Sequence, residues 1–249
     1  MKILHYLKRT RLEEGGVVRA VLDVCAILAS SGQDVTLMTF DDTDAPKDWD
    51  GRAGMPRVVR LDAPRFAGRL PGSAVSKASE LMRAHDVLHL HTLWTPSNGQ
   101  LAAAARKAGT PYVVTIHGML DDWCMTQRAL KKKIYLALSA RRVLEEARMV
   151  HCTASGELEQ ARQWFSNSRT TVIPLVFDTS PFRDLPGTEP AMQAFPVLRE
   201  ATRTLLFLSR VHYKKGIEHL IDASALLREQ GLEHDVLVAG HGEAPYVEQ

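Results

Sequence analysis

The chain has 249 residues, of which 45% are hydrophobic and 24% are charged, as is common in soluble globular proteins. Its net charge of +2, from 31 basic and 29 acidic residues, does not indicate a nucleic-acid partner. The amino terminus turns polar too early for an export signal, and no stretch approaches about 18 uninterrupted apolar residues, so no membrane span is predicted. Because Cys25, Cys124 and Cys152 lack metal-ligand and redox spacing, we expect reduced thiols in a cytoplasmic protein.

Strand and helix patterns alternate through the first 174 residues. The chain begins with a strand at residues 2–7, a turn containing Gly15 and Gly16, and a helix whose apolar residues recur at helical spacing from Val17. Six further strands are predicted at residues 35–40, 57–61, 87–91, 111–116, 149–153 and 171–173. Helices are predicted near residues 73–84, 98–107, 127–147 and 156–165. This alternation predicts an α/β fold with a doubly wound, Rossmann-like parallel sheet in residues 1–174.

The rest of the chain changes character twice. Residues 175–203 contain several prolines and no clear period, which predicts a linker. The alternation resumes with an apolar strand at residues 205–208, expected to be covered on both faces, then a helix from Ile217 and a strand at residues 235–239. Residues 204–249 are therefore expected to be the incomplete beginning of a second Rossmann-like domain.

Short loops place polar residues at the carboxyl ends of the predicted strands, where open α/β sheets bind ligands. The N–H groups of Gly15 and Gly16 could face an anion at the helix N-terminus, although such a pair can also form a turn without a ligand. His89 and His91 share one face of the fourth strand because side chains alternate with period two. His117 ends the fifth strand, and the glycine after it permits close approach to the backbone, which favours a binding site over a purely structural histidine.

Two kinds of cofactor are disfavoured. The G-x-G-x-x-G spacing is absent, and the glycines Gly240 and Gly242 are not followed by a complete unit, which argues against a dinucleotide. A zinc site would need ligands beyond the histidines, and the candidates Asp121 and Cys124 lie in an unpatterned loop, so no metal is predicted.

Basic residues form two local groups. Arg210 and Lys215 lie in the turn after the strand at residues 205–208, where an arginine fork and a lysine could hold a diphosphate; the alternative is a solvated basic loop. Residues 128–142 form a basic amphipathic helix that could lie against anionic lipid headgroups. The same pattern also suits the outer face of a packed helix, with Glu145 and Glu146 offsetting part of the charge.

Several motifs in order resemble the retaining, nucleotide-sugar-dependent glycosyltransferases of the GT-B fold, the group of sucrose synthase-like and mannosyltransferase-like enzymes. The first is the glycine turn at Gly15 and Gly16. The others are HLHTLW at residues 89–94, TIHGMLDDW at 115–123, LSRVHYKKG at 208–216 and VAGHGEAPYVEQ at 238–249.

The resemblance implies a role for each group of residues. Gly15, Gly16, Arg210 and Lys215 would bind the donor diphosphate, and His117 would lie beside the transferred sugar as the catalytic residue. The crevice-lining residues would be His91, Trp94, Gly118, Gly240 and Gly242. The basic turn is expected to face His117 across an interdomain cleft, and no metal or other cofactor is expected. The donor would be a nucleotide sugar, and the acceptor a saccharide or a lipid-linked saccharide in surface polysaccharide or glycolipid synthesis.

Two departures limit this expectation. Ile173-Pro174-Leu175 occupies the place where relatives usually have Pro-Asn-Gly. The family's two glutamates seven residues apart, which hold the donor ribose and sugar, are not among the 249 residues. The chain is therefore expected to be truncated in its second domain and inactive or nearly so alone. The alternatives are a non-catalytic binding module on the same fold and a sugar-nucleotide epimerase or phosphorylase.

Overall fold

A computed structural model describes residues 1–49, 52–64, 66–167, 169–199 and 203–242. Contacts between Cα atoms divide the chain into two compact units, Met1–Asp178 and Thr179–Gln249. Residues 200–202 of the predicted linker and the last seven residues of the predicted second domain lie outside the described residues, and so does most of the motif that begins at Val238.

The regular elements are as follows. The strands are β1 (Lys2–Tyr6), β2 (Asp34–Thr39), β3 (Arg57–Arg60), β4 (Val87–His91), β5 (Tyr112–Thr115), β6 (Met149–Cys152), β7 (Thr170–Val172), β8 (Thr204–Leu208) and β9 (Asp235–Ala239). The α-helices are α1 (Gly16–Ser30), α2 (Gly72–Arg83), α3 (Pro96–Ala108), α4 (Asp122–Thr126), α5 (Ala129–Tyr135), α6 (Arg141–Glu145), α7 (Ser155–Ala161), α8 (Glu189–Ala194) and α9 (Ile217–Glu229). No helix among the described residues is both long and apolar enough to cross a bilayer.

The first unit contains the predicted parallel sheet, which confirms the α/β fold class. Its seven strands lie in the order β3-β2-β1-β4-β5-β6-β7, and all neighbours are parallel. Every predicted strand is present, and its ends agree within one residue. Strands β2 and β3 are added on one side of β1, and β4 to β7 are added on its other side. The carboxyl ends of β1 and β4 therefore form the crevice where such sheets bind ligands.

The two faces of this sheet carry different side chains. One face packs Leu4, Leu88 and Val114 into the larger apolar cluster, which also includes residues of α2, α3 and α6. On the other face, α1 covers Val35 and Leu37 in a smaller cluster. Farther along this second face, β4 to β6 carry histidine and threonine side chains in place of aliphatic ones.

The prediction of one long helix at residues 127–147 is wrong, because the segment is divided into shorter helices. Arg128 adopts a left-handed conformation with φ of 53°, which separates α4 from α5. A π-helical segment, Leu136–Ala140, then joins α5 to α6. The loop around Asp121 and Cys124, predicted to be unpatterned, contains α4. The Asp121 carboxylate caps this helix by accepting a hydrogen bond from Cys124 N at 2.5 Å.

The second unit contains a parallel pair of strands, β8 and β9, with α9 between them in sequence. The prediction that β8 is covered on both faces is not met among the described residues, since the side chains of Leu206 and Leu208 are 59% and 76% exposed. The predicted linker contains α8 and two short 3-10 helices, Ser180–Phe182 and Pro196–Arg199.

Candidate functional site

The glycine turn lies between β1 and α1, at the crevice of the first sheet. A 3-10 turn, Leu12–Glu14, follows β1, and α1 begins at Gly16. Gly15 has φ of 106°, a conformation that side chains disfavour, and its N–H donates to the Leu12 carbonyl at 3.0 Å. Gly16 N–H has no acceptor among the described residues, and a β-carbon on either glycine would meet nothing within 4 Å. Of the two glycines, Gly16 therefore offers the N–H group and the open space that an anion needs.

Basic side chains beside this turn are already paired with acids. Arg9 contacts Glu14 at 2.6 Å, and Arg11 Nε contacts Asp41 Oδ2 at 2.6 Å. Hydrogen bonds from Thr43 and Arg11 lower the pKa of Asp41 to about 2. Since these cations are partly neutralised, an anion at the glycine turn would be held mainly by backbone N–H groups.

His91 and His117 meet at the carboxyl ends of neighbouring strands. His91 ends β4, His117 follows β5, and His91 Nδ1 lies 3.2 Å from His117 Nε2. His117 has φ of 51° and Gly118 has φ of 70°, so both residues of this turn are left-handed. A left-handed conformation is strained for a residue with a side chain, and such strain is common at functional sites. Burial lowers the pKa of His117 to about 4, against an opposing effect of the Glu157 charge.

The turn at Gly118 is held by Glu157, a residue that the sequence analysis did not identify. Its carboxylate accepts hydrogen bonds from the backbone N–H groups of Gly118 and Thr153, and from the Thr153 hydroxyl at 2.8 Å. Glu157 lies in the first turn of α7, where the helix dipole favours a negative charge. One side chain thus ties the ends of β5 and β6 together beside His117.

Two further histidines, His5 and His151, join those predicted. Strand pairing aligns His5 with His89, and Thr115 with both His91 and His151, so all five side chains point to one face of the sheet. His5 Nδ1 lies 3.0 Å from His91 Nε2, and the Thr115 hydroxyl bridges His89 Nε2 at 2.6 Å and His151 Nδ1 at 2.8 Å. Burial lowers the pKa of His5 to about 4 and keeps the pKa values of His89 and His91 well below the ordinary range. These three rings are therefore neutral at pH 7.

Trp94 lies in a different environment from the histidines. Its ring is 6.0 Å from that of Tyr135 and packs against the larger apolar cluster. Lys132 Nζ lies 5.5 Å from the centre of the Trp94 ring and donates to the Cys124 carbonyl at 2.5 Å. The structure therefore brings His91, His117 and Gly118 together, whereas Trp94 is partly buried and packs against the edge of the larger apolar cluster.

The second unit gathers four predicted residues at the carboxyl ends of its strands. Arg210 and Lys215 are exposed, and neither forms an ion pair with a described residue. Val211 pairs with Gly242, and its N–H donates to the His241 carbonyl at 2.9 Å. A β-carbon on Gly240 would overlap the backbone carbonyl of Ser209, so glycine is required for this close approach.

A large cleft lies elsewhere in the first unit. It has a volume of about 930 Å³ and lies between α2, α3 and the segment from Tyr135 to Val143. Its lining is rich in cations: Arg69, Arg83, Arg106, Lys107 and Arg142. None of the predicted site residues line it.

Comparisons with known proteins agree with this architecture. The family described as "Glycosyl transferase 4-like domain" matches residues 15–175. No curated protein matches the sequence significantly. Among solved structures, Alr3699/HepE of Anabaena in complex with UDP has a TM-score of 0.69 at 20% identity, and the match covers 100% of this chain and 64% of that one. Sucrose-phosphate synthase of Thermosynechococcus elongatus has a TM-score of 0.61 at 17% identity, covering 97% and 71%.

A third structure is the lipopolysaccharide outer core galactosyltransferase WaaB in its apo form. It has a TM-score of 0.54 at 15% identity, with 100% of this chain and 71% of that chain covered. At these identities the likeness shows the GT-B fold. The chain spans 64% of the length of HepE.

Proposed function

The chain belongs to the glycosyl transferase 4-like family, and we propose that it takes part in transferring a sugar from a nucleotide-diphosphate donor, with retention at the anomeric carbon. The acceptor would be a saccharide or a lipid-linked saccharide in surface polysaccharide or glycolipid synthesis. The observation that carries this proposal is the family match, which includes both the glycine turn and the strained turn at His117.

The first unit would supply groups near the sugar and the diphosphate. His117, half-buried, neutral at pH 7 and held in a fixed turn, would lie beside the transferred sugar. The N–H group of Gly16 would face a phosphate oxygen, supported by the dipole of the 15-residue helix α1. His91 and Gly118 would line the crevice, and Trp94 would contribute to its wall through the loop after β4.

The second unit would bind the donor diphosphate through Arg210 and Lys215. Their side chains have no acidic partner among the described residues, so two positive charges remain for an anion. Gly242 would allow the donor to approach the strand end closely, and Gly240, which packs against the Ser209 carbonyl, would line the crevice through its backbone. In the proposed mechanism these cations stabilise the leaving diphosphate as the anomeric carbon gains oxocarbenium character, so the transfer itself needs no metal or cofactor.

The donor class can be tested first by binding. The HepE structures contain UDP, or UDP and glucose, or UDP-glucose, so UDP and UDP-glucose are the first probes, with GDP for comparison. Arg210→Ala should weaken UDP binding by about 1.5 to 3 kcal/mol, roughly 10- to 150-fold in Kd, because one charge-assisted contact is lost. Arg203→Ala, the same change at the other end of β8, is the matched control. Equal effects of the two variants in calorimetry would contradict the assignment.

The activity of the 249-residue chain is a separate question. The family's glutamate pair, which would hold the donor ribose and sugar, is not among its residues. We therefore expect this polypeptide to transfer sugar slowly or not at all, even where it binds UDP. Incubation with UDP-sugars, followed by chromatography of the products, tests this; turnover at about 1 to 1,000 per second, which is usual for enzymes, would refute it.

We further propose a cytoplasmic location, with peripheral contact to anionic membrane through residues 128–142. Leu130, Ile134 and Leu138 recur every four residues on α5 and the π-helical segment, and are 74%, 50% and 81% exposed. The exposed Lys131 and Lys133 lie between Leu130 and Ile134, and exposed arginines flank the segment at positions 128, 141 and 142. Leu138 also borders the cationic cleft. Apolar anchors among cations suit the interface of an anionic bilayer.

Vesicle sedimentation tests the membrane contact. The chain should sediment with vesicles containing phosphatidylserine and much less with vesicles of phosphatidylcholine alone, because about 1 kcal/mol is gained per cation near an anionic surface. The pair Ile134→Ser and Leu138→Ser should lower sedimentation, whereas Leu12→Ser, an exposed leucine outside the patch, should not. If neither the lipid charge nor the two serine substitutions change the sedimented fraction, residues 128–142 are not the membrane-binding surface.

A further inference from the structure

Three histidines on the second face of the sheet lie close enough to share one ion. One ring nitrogen each from His5, His89 and His91 lies within 4.8 Å of the others, the one such group found among the described residues. Two nitrogens bound to one tetrahedral Zn²⁺ at about 2.0 to 2.1 Å would be about 3.3 Å apart. His5 Nδ1 and His91 Nε2 form a hydrogen bond at 3.0 Å, which a shared ion would replace by turning both nitrogens towards it.

The hydrogen bonds of His5 leave a polar atom unexplained. Its side chain is fully buried, and Nε2 has no partner among the described residues. His85 is also buried, but its two nitrogens contact the Leu81 carbonyl at 2.6 Å and the Thr36 hydroxyl at 3.1 Å. A buried polar atom without a partner costs stability.

A hydrogen-bond chain through Thr115 bears on which nitrogen of His89 carries its proton. The Ile173 carbonyl can only accept, so His151 donates Nε2–H to it at 2.7 Å. In the arrangement in which the Thr115 hydroxyl donates to His151 Nδ1, this hydroxyl accepts from His89 Nε2–H. In this arrangement Nδ1 of His89 carries a lone pair, and it is the nitrogen through which His89 can bind a cation.

We propose that His5, His89 and His91 form a binding site for one divalent transition-metal ion that prefers nitrogen ligands, such as Zn²⁺, with a fourth position for water. Imidazole suits Zn²⁺, Ni²⁺, Cu²⁺ and Co²⁺, whereas Mg²⁺ and Ca²⁺ require oxygen ligands. Metals bind the neutral form of imidazole. The site is independent of the donor diphosphate, which the proposed mechanism assigns to other residues.

The metal would also act on His117 through His91. With the metal on His91 Nε2, the proton of that ring must be on Nδ1, which lies 3.2 Å from His117 Nε2. His91 then donates and His117 accepts, so the tautomer and orientation of His117 are fixed, as is usual for the second shell of a metal site. His91 would therefore be a ligand and His117 a positioned partner.

The experiment uses the untagged 249-residue chain after removal of metal with a chelator. Titration with ZnCl₂ should give one tight equivalent, and Co²⁺ should give the intense visible absorption of a tetrahedral nitrogen-ligated ion. His89→Gln should weaken binding at least tenfold, and the double variant His5→Gln, His89→Gln should abolish the tight equivalent. His85→Gln, which changes a buried histidine outside the cluster, should bind as the unsubstituted chain does.

The outcomes separate clearly. Equal affinity in His89→Gln and His85→Gln would overturn the proposal, because the ten histidines of the chain would then include some other site. If the substituted chains do not fold, as circular dichroism would show, the Co²⁺ spectrum of the unsubstituted chain decides. Tetrahedral absorption that Zn²⁺ displaces supports the site, and the spectrum of hydrated Co²⁺ overturns it.

Discussion

Glu157 offers the sharpest test of how the crevice is built. Its carboxylate accepts two backbone N–H groups, from Gly118 and Thr153, and the Thr153 hydroxyl. In Glu157→Gln, one oxygen is replaced by an NH₂ group that cannot accept. At least one N–H is then left without its partner, and the charge that strengthens the others is lost.

The expected cost follows from these contacts. A partly buried N–H without an acceptor costs about 1 to 3 kcal/mol, and a hydrogen bond to a charged group contributes about 1.5 to 3 kcal/mol. Because the glutamine still accepts at one oxygen, the expected loss in the free energy of unfolding is about 2 kcal/mol. A unit of this size should lose roughly 4 to 8 °C in Tm. The same free energy corresponds to about thirtyfold faster hydrogen exchange at amides whose local opening the substitution makes easier.

Thermal unfolding and hydrogen exchange measure the two effects. Glu159→Gln is the matched control, since it removes the same charge from an exposed position on the same helix. Exposed substitutions usually change stability by less than about 0.5 kcal/mol. Faster exchange in Glu157→Gln should centre on the amides of Gly118 and Thr153.

The local strain at His117 sharpens this test. His117 and Gly118 are both left-handed, a conformation that persists only where surrounding contacts hold it. If Glu157→Gln and Glu159→Gln have the same Tm and the same exchange at Gly118, then Glu157 does not hold the turn. The hydrogen bonds of Glu157 would then not be what positions His117.

Three further predictions concern other parts of the chain. In the transfer-competent protein, His117→Ala should lower kcat more than donor binding, whereas equal losses in kinetics and calorimetry would indicate a structural role. Gly240→Ala should unfold the second unit at lower urea, because its β-carbon would overlap a backbone carbonyl, while the open position Gly231 in the same unit should tolerate Ala better. Hydrogen bonds from Thr43 and Arg11 hold the pKa of Asp41 at about 2 in the folded protein. The ionised carboxylate therefore stabilises the fold above the unfolded-state pKa of about 4, and this stabilisation is lost as the pH falls through 2. Carboxyl NMR of Arg11→Ala should show a higher pKa for Asp41.

The sequence predicted the fold well because its signals are local. Period-two and helical spacing mark each element, and the strands agree with the structure within one residue. The failures are also local in origin. Arg128 breaks the predicted long helix through a backbone conformation that its side chain does not reveal. The exposure of Leu206 and Leu208 depends on what packs against β8, which the apolar run itself cannot indicate.

The site was less predictable because it depends on strand order. His89, His91 and His117 are recognisable, since they lie on or after adjacent strands with short loops. His5 lies 84 residues before His89 and becomes its neighbour only because β1 pairs with β4. The alternation in KILHY could have indicated His5, as a polar residue at an inward position of a central strand. Thus no metal was predicted from two histidines, and the third became visible only with the sheet.

The second face of the first sheet changes from aliphatic residues to histidines along its width, which gives a physical reason to regard the histidines as a site. Under α1 this face is packed with aliphatic residues such as Leu37, as expected for a doubly wound sheet. Beside it, His5 occupies a position where an aliphatic side chain would pack without an unsatisfied nitrogen atom. Buried imidazoles are retained at the expense of stability, which is typical of sites rather than cores. Replacing His5 by Leu should therefore raise the Tm of the metal-free chain and remove its stabilisation by Zn²⁺, a pair of opposite effects that a purely structural histidine would not give.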